Sequence, residues 1–475
     1  MREKSNHIGW GLLPFLLAVL CLHAGTGHAA SIHVPADYPT IQGAIDAAGA
    51  GDIVLFGPGR FNETLTIAKS ITLAGSGTSN CVLYALTNVP LVSITGPGTV
   101  VLSNFEIEGG QYMGPDWYSG FSPRGIVATN ADLILDIIVM NQVNNYFVTA
   151  INCQLLATDV GFWTRDVLGG CDIGFQLKGC TGTIRNLRQD AGHLDHTINI
   201  NDPPASHSDI TISSCSIRAS GLSYGNCIRT YTDSVVLING CYMYRNASDP
   251  VPAFPAFNHN GVSISGYSNQ VTITDNVFTN LPWSIYCVGS LGGNRVLVQS
   301  NIMVSCRIGG IVWDSMSYEG IDLGGGRLGS KGGNVFGQFT ALSNHYCADI
   351  LTTNLNGPCS ANIYALNNTW SNPNNRESLI IDKLDNPVLG RVVTDSLFIK
   401  SLRKDPSGRD VLTWNERGAG EKYTVNYSTN LQTGLWYKAP GFWPVANPSA
   451  QNDLSWTNPV PNGTAVFYRI RSYVP

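Results

Sequence analysis

Val271-Thr-Ile-Thr-Asp-Asn276-Val-Phe278 and Val296-Leu-Val-Gln-Ser-Asn301-Ile-Met303 are two copies of one pattern. A short strand alternates apolar and polar residues, two turn residues follow, and an Asn precedes a second short strand. Ile210-Thr-Ile-Ser-Ser-Cys215-Ser-Ile217 and Val236-Leu-Ile-Asn-Gly-Cys241-Tyr-Met243 repeat the pattern with Cys in the Asn position. The anchors Cys215, Cys241, Asn276 and Asn301 stand 26, 35 and 25 residues apart. A further apolar strand recurs near Ile94, Ile126, Ile151, Phe175, Ile198, Ile228, Val262, Ile285 and Ile311, at intervals mostly of 23 to 30 residues. Strands this short at this period cannot all pair as hairpins. Stacked as successive coils, they pair in parallel and share one continuous core. Asn suits a recurring bend because it tolerates left-handed backbone and hydrogen-bonds along the stack. About ten coils at ~4.8 Å each predict a rod roughly 50 Å long.

Composition agrees. Only 13% of the 475 residues are charged, 51 are Gly, and the net charge is −5. Amphipathic helices need far more charge, and at 43% hydrophobic the chain has the apolar surface for a core. Nothing basic favours nucleic acid as a partner.

Arg2 and Lys4 precede an apolar run, Leu12 to Leu22, and small residues follow to Ala30. That is the pattern of a secretory signal over residues 1–30, and the run is short of the ~20 residues that span a bilayer. The expectation is an exported chain, extracellular or periplasmic, with no membrane attachment after cleavage and no partner subunit. Eleven cysteines then remain of the 12. Export permits disulfides, with Cys171/Cys180 and Cys347/Cys359 close enough in sequence to pair. The others are expected as buried thiols, since no zinc spacing occurs.

Ser31-Ile-His-Val-Pro-Ala-Asp-Tyr-Pro-Thr-Ile-Gln-Gly-Ala-Ile-Asp-Ala-Ala48 reads as a strand and a short helix. The helix would plug one end of the stack with Ile41, Ala44, Ile45 and Ala48. This opening, the coils at Gly51–Thr64 and Ser70–Gly75, and the closing segments Gly324–Asn334, Asn367–Trp370 and Ile381–Gly390 carry a resemblance. The chain resembles secreted right-handed parallel β-helix proteins of the pectin-lyase-like superfamily over residues 31–393. The resemblance implies an all-β solenoid. It also implies a carbohydrate-related role of open chemistry, because the fold hosts lyases, hydrolases, esterases, epimerases and non-catalytic adhesins. From 394 to 475 the pattern changes to antiparallel strands (Val411–Asn415, Lys422–Ser428, Leu435–Tyr437, Ala465–Arg471) with Trp414 and Tyr468 as core, and this part resembles a fibronectin type III-like β-sandwich.

The densest polar stretch runs from Arg188 to Asp202. If Ile198 and Ile200 face the core, period two turns Thr197, Asn199 and Asn201 outward, with Asp195 and His193, and leaves His196 inward or at a bend. Asp190 lies in the preceding turn. The next coil offers Arg229, Tyr231 and Asp233, outward or inward according to whether Cys227 or Ile228 is core. Candidate catalytic residues are thus Asp190, His193, Asp195, His196 and Arg229. β-Elimination on a uronate needs the substrate carboxylate neutralised, by Arg or by Ca²⁺ on Asp oxygens, and a base near the α-proton. Hydrolysis needs two carboxyl groups at a set separation. Two enlarged coils, Gly109–Phe121 and Arg245–His259, are read as aromatic walls of a groove for pyranose rings. Their candidates are Tyr112, Trp117, Tyr118 and Phe254, beside Asn199, Asn201 and Tyr231 on the face. The sequence reading is a polysaccharide-cleaving lyase or hydrolase acting on an acidic substrate. Its alternative is a non-catalytic adhesin or polysaccharide-binding surface protein whose polar ladder is merely solvated.

Overall fold

The structure, a computed structural model, describes residues 29–473 except 86–88, 110–123, 142, 144–145, 164–172, 192–193, 204–205, 220–224, 247–259, 289–292, 306–308, 315–319, 338–347, 354–362, 373–378, 383–388, 390–391, 395–398, 416–421, 430–434, 440–452 and 459–465. Two parallel sheets wind around one core. Among the described residues, one has twelve strands, one per coil, from Leu65–Ile67 to Ile380–Ile381, and the other has 23 strands. Twelve coil strands therefore replace the roughly ten expected. The extra ones, at Leu65–Ile67, Ala348–Thr353 and Ile380–Ile381, lie beyond the strands that the repeat made visible. The helix Ile41–Ala47 closes one end with Ile41, Ala44 and Ile45 buried. Thr40 caps Gly43 N–H, and the Glu63 carboxylate accepts from Ile41 and Gln42 N–H, both 3.0 Å. These bonds satisfy donors that a helix start leaves open.

The anchors sit at a one-residue bend between paired strands of the 23-strand sheet. The residue before each is left-handed: Ser214 at φ 54°, Asp275 at 57°, Ser300 at 56°. The Asn276 side chain accepts from Cys241 N–H at 2.8 Å, Asn301 from Asn276 N–H at 3.0 Å and Asn334 from Asn301 N–H at 3.1 Å. Asn368 continues the ladder. Each bend would otherwise bury unpaired amide groups, and stacked Asn side chains pair them coil to coil. Cys241 and Cys215 fill the same position one and two coils before Asn276 as buried thiols. Cys180 is also a free buried thiol, and Cys171, close enough in sequence to pair with it, lies outside the described residues. The neighbour of Cys180 in the preceding coil is Cys153, and Cys180 packs in the core as a small hydrophobe. The pair Cys347/Cys359 lies outside the described residues.

The C-terminal segment forms two antiparallel three-stranded sheets, Ile399–Lys404 with Asp410–Asn415 and Asp453–Thr457, and Lys422–Ser428 with Tyr437–Lys438 and Phe467–Tyr473. They enclose a separate core of Leu412, Trp414, Tyr423, Val425, Ala439, Leu454 and Trp456. Tyr468 packs at its edge and donates its hydroxyl to Asp410 at 2.7 Å.

Candidate functional site

The twelve-strand sheet does not obey period two at its entry. In the strand His196–Ile200, both Thr197 (1% exposed) and Ile198 (0%) are inside, so Thr197 is not outward as expected. The next coil repeats this with Cys227 and Ile228, which answers the choice between them: both are core. The equivalent position is Gly in flanking coils, where a ring from a third strand fills the inside. A Cβ on Gly174 would lie 2.6 Å from the Phe162 ring, and one on Gly261 2.5 Å from Phe278. With two residues turned in, His196 lies on the outward side of the strand start, beside Asn199.

A column of outward residues follows from the register. Thr149 pairs with Gln176, Gln176 with Asn199, Asn199 with Arg229, Arg229 with Ser263, and Ser263 with Tyr286. A second column at the strand starts contains His196, Asn226 and Asn260. The columns are bonded together. Asn199 Nδ2 donates to Gln176 Oε1 at 2.8 Å, and Asn260 Nδ2 to Asn226 Oδ1 at 2.9 Å. Asn226 Nδ2 meets His196 Nδ1 at 3.2 Å, and Arg229 Nη1 meets His196 Nε2 at 3.3 Å. The Arg229 guanidinium lies over the Tyr231 ring, 5.2 Å from its centre.

The imidazole is over-supplied with donors. The backbone N–H of Asn260 also points at Asn226 Oδ1, which fixes the Asn226 amide with Nδ2 toward His196. A neutral imidazole accepts at one ring nitrogen only, so it can satisfy one of these two donors, Asn226 Nδ2 or Arg229 Nη1, and the Asp195 backbone carbonyl is a further partner of the ring. Desolvation, and then the Arg229 charge, push His196 down to about 3, so it stays neutral. Burial also lowers Arg229 from its usual value. The arrangement is a ready receptor for a negatively charged oxygen.

The expected site residues divide as follows. His196, Asn199, Arg229 and Tyr231 come together. Asn201 continues its strand, its N–H bonded to Leu177 O at 3.1 Å. Asp195 is half-buried at the strand start, and its carbonyl accepts from Asn226 N–H at 2.9 Å. The backbone bulges at Asp190, between Gln189 and Ala191, but its side chain lies outside those described. His193, Tyr112, Trp117, Tyr118 and Phe254 lie outside the described residues. Asp233 turns a corner at φ 47° rather than joining the face, and Asp202 braces a turn by accepting from Ser208 Oγ at 2.9 Å. Thr149, Gln176, Asn226 and Asn260 were missed. The signal for the first two was a polar residue directly after the core residue of each first strand, in Val148-Thr149 and Phe175-Gln176, as in Ile198-Asn199. Among the described residues, no group of three or more His, Cys, Asp or Glu is placed to hold a metal ion.

Residues 136–323 match the family described as a right handed beta helix region. This right-handed β-helix region contains every residue of both columns. Among curated proteins none matches the chain in sequence. Solved structures similar to it include a polygalacturonase from Erwinia carotovora ssp. carotovora, 14% identical, covering 69% of this chain and 98% of that one, with a TM-score of 0.47. A pectin methylesterase from carrot is 15% identical over 58% and 83% of the two chains, with a TM-score of 0.36. A mannuronan C-5 epimerase module of Azotobacter vinelandii is 14% identical over 69% and 90%, with a TM-score of 0.30. These likenesses are too distant to carry anything about the chemistry of the β-helix region here.

Proposed function

We propose that the protein is exported and holds an acidic, uronate-containing polysaccharide along the outward face of the twelve-strand sheet, where it cleaves it. The observation that carries this is the partly buried Arg229 guanidinium, whose Nη1 stands 3.3 Å from His196 Nε2 with no carboxylate acceptor among the described residues. A sugar carboxylate supplies that acceptor, and Tyr231 offers an adjacent ring face. The grip suits lyase chemistry better than hydrolysis. Withdrawing carboxylate charge acidifies the α-proton, whereas hydrolysis relies on two carboxyl groups flanking the bond. The base is drawn from Asp190, His193 or Asp195. His196, held neutral to about 3, is too weak a base. In this reading Arg229 neutralises the carboxylate, and Ca²⁺ on Asp oxygens is the alternative. The C-terminal sheets, read as a fibronectin type III-like module over 394–475, act as a spacer.

The same low basicity of His196 favours a second reading, a non-catalytic polysaccharide-binding surface protein. One experiment separates the two: incubation with a panel of polyuronates, following ultraviolet absorbance of unsaturated ends, reducing ends and binding together. Rising absorbance supports the lyase. Reducing ends without absorbance indicate hydrolysis, and binding without either supports the second reading. No binding to any polyuronate contradicts both.

A further inference from the structure

A polar recess opens on the 23-strand sheet, at the bend between its paired strands. Its volume is about 440 Å³, and Asp159, Asn186, Arg188, Ser214 and Ser216 line it. That size is within the range of small-ligand sites. Repetition along the stack builds it. Asp159, Asn186 and Ser214 turn the same corner in successive coils, with left-handed backbone at φ 55°, 52° and 54°. Gly161, Arg188, Ser216 and Tyr242 form the adjoining outward row by register. Short residues at 161, 214 and 216 leave the hollow, and an exposed ring stands at each end of the row. Trp163 is 40% exposed, and its indole lies against Gly161, where a Cβ would meet Nε1 at 3.1 Å. Tyr242 is 43% exposed and stacks on Tyr244 with ring centres 5.0 Å apart.

The lining groups face solvent and have bonding capacity to spare. Asp159 Oδ1 accepts from Asn186 Nδ2 at 3.2 Å, which leaves its second oxygen for a ligand. Among the described residues, the side chains of Arg188, Ser214 and Ser216 make no hydrogen bond or ion pair, and all but the half-buried Ser216 are exposed. One carboxylate and one guanidinium give the lining no net charge, so it favours neither an anion nor a cation. A sugar hydroxyl donates to Asp159 and accepts from Arg188, and the serine hydroxyls take either role. The exposed rings offer faces to the apolar side of a pyranose. Three coils separate Trp163 from Tyr242, about 14 Å at ~4.8 Å per coil, which accommodates a short run of pyranose rings.

We infer that this recess is a second saccharide site, separate from Arg229 on the twelve-strand sheet, and that it takes pyranose units through their hydroxyls rather than through a carboxylate. It does not depend on the carboxylate grip proposed above. The test is titration calorimetry of the full chain carrying Arg229→Ala against a panel of polyuronates, each before and after reduction of its carboxylates to primary alcohols. At least one reduced polymer is expected to bind, about as well as its acidic parent. Adding Trp163→Ala, or independently Asp159→Asn, is expected to weaken that binding about tenfold, the scale of one ring contact or one charged hydrogen bond. Circular dichroism checks that both variants fold. Binding undiminished in either variant, or no binding of any reduced polymer to Arg229→Ala, overturns the second site and leaves the grip standing. Wild-type affinity equal for acidic and reduced polymers would instead overturn the grip and leave the second site standing.

Discussion

His196 faces two donors and has only one acceptor to offer. It stands 3.3 Å from Arg229, and in the proposed function the two residues act as one anion receptor. Arg229→Ala should weaken binding of a uronate polymer by about 10- to 100-fold, as expected for losing a charge-assisted bond in a partly dry site. Arg229→Lys should recover only part of the loss, because a point charge cannot reproduce the planar fork. Both are read by titration calorimetry, with circular dichroism to confirm the fold. Asp349 is tuned in another way. It is fully buried, accepts from Ser371 N–H at 3.0 Å and lies 2.6 Å from Ser371 Oγ. Burial raises it to about 6 from 3.8 despite these bonds. The folded protein therefore keeps a proton that the unfolded chain releases. Stability should fall as pH rises from about 4 to about 6 and stay level above, by about 2–3 kcal/mol. Denaturant melts across that window should show the fall in the wild type and not in Asp349→Asn.

The repeating coil was legible at the scale of the element because its signals are local. An Asn or Cys after a two-residue turn, with apolar alternation on either side, located the bend at Cys215, Cys241, Asn276 and Asn301. The strand entry was not legible. Thr197 reads as outward by period two, but it and Cys227 are buried beside the core residues Ile198 and Ile228. Contacts between residues tens of positions apart leave no periodic trace. The same misreading placed His196 inward or at a bend, when it is the residue that meets Arg229. Asn199 was recoverable because its strand obeys alternation beyond the entry, whereas the direction of Arg229 and Tyr231 stayed open between Cys227 and Ile228. The Asn ladder makes its own prediction. Asn301→Ala strips the acceptor from Asn276 N–H and the donor from Ile273 O at 2.9 Å. With buried orphan groups costing about 1–3 kcal/mol each, a loss of about 3 kcal/mol or more is expected in urea unfolding. A change under 1 kcal/mol would show that the ladder is not structural.

At the scale of the molecule, the solenoid core runs from Val34 to Val392 and shares no residue with the C-terminal cluster around Trp414. Two cores predict two cooperative units. Calorimetry should resolve two unfolding transitions, and deletion of 394–475 should leave the larger one in place; a single transition lost on deletion would contradict this. The net charge of −5 gives an acidic polymer no general attraction, so affinity for one must come from a local receptor. The most direct measurement is the affinity of the full chain for a uronate polysaccharide before and after reduction of its carboxylates to primary alcohols, in wild type and Arg229→Ala. The site described here predicts that carboxyl reduction weakens wild-type binding at least about tenfold and scarcely affects the variant. Equal affinity of wild type for the two polymers would contradict it.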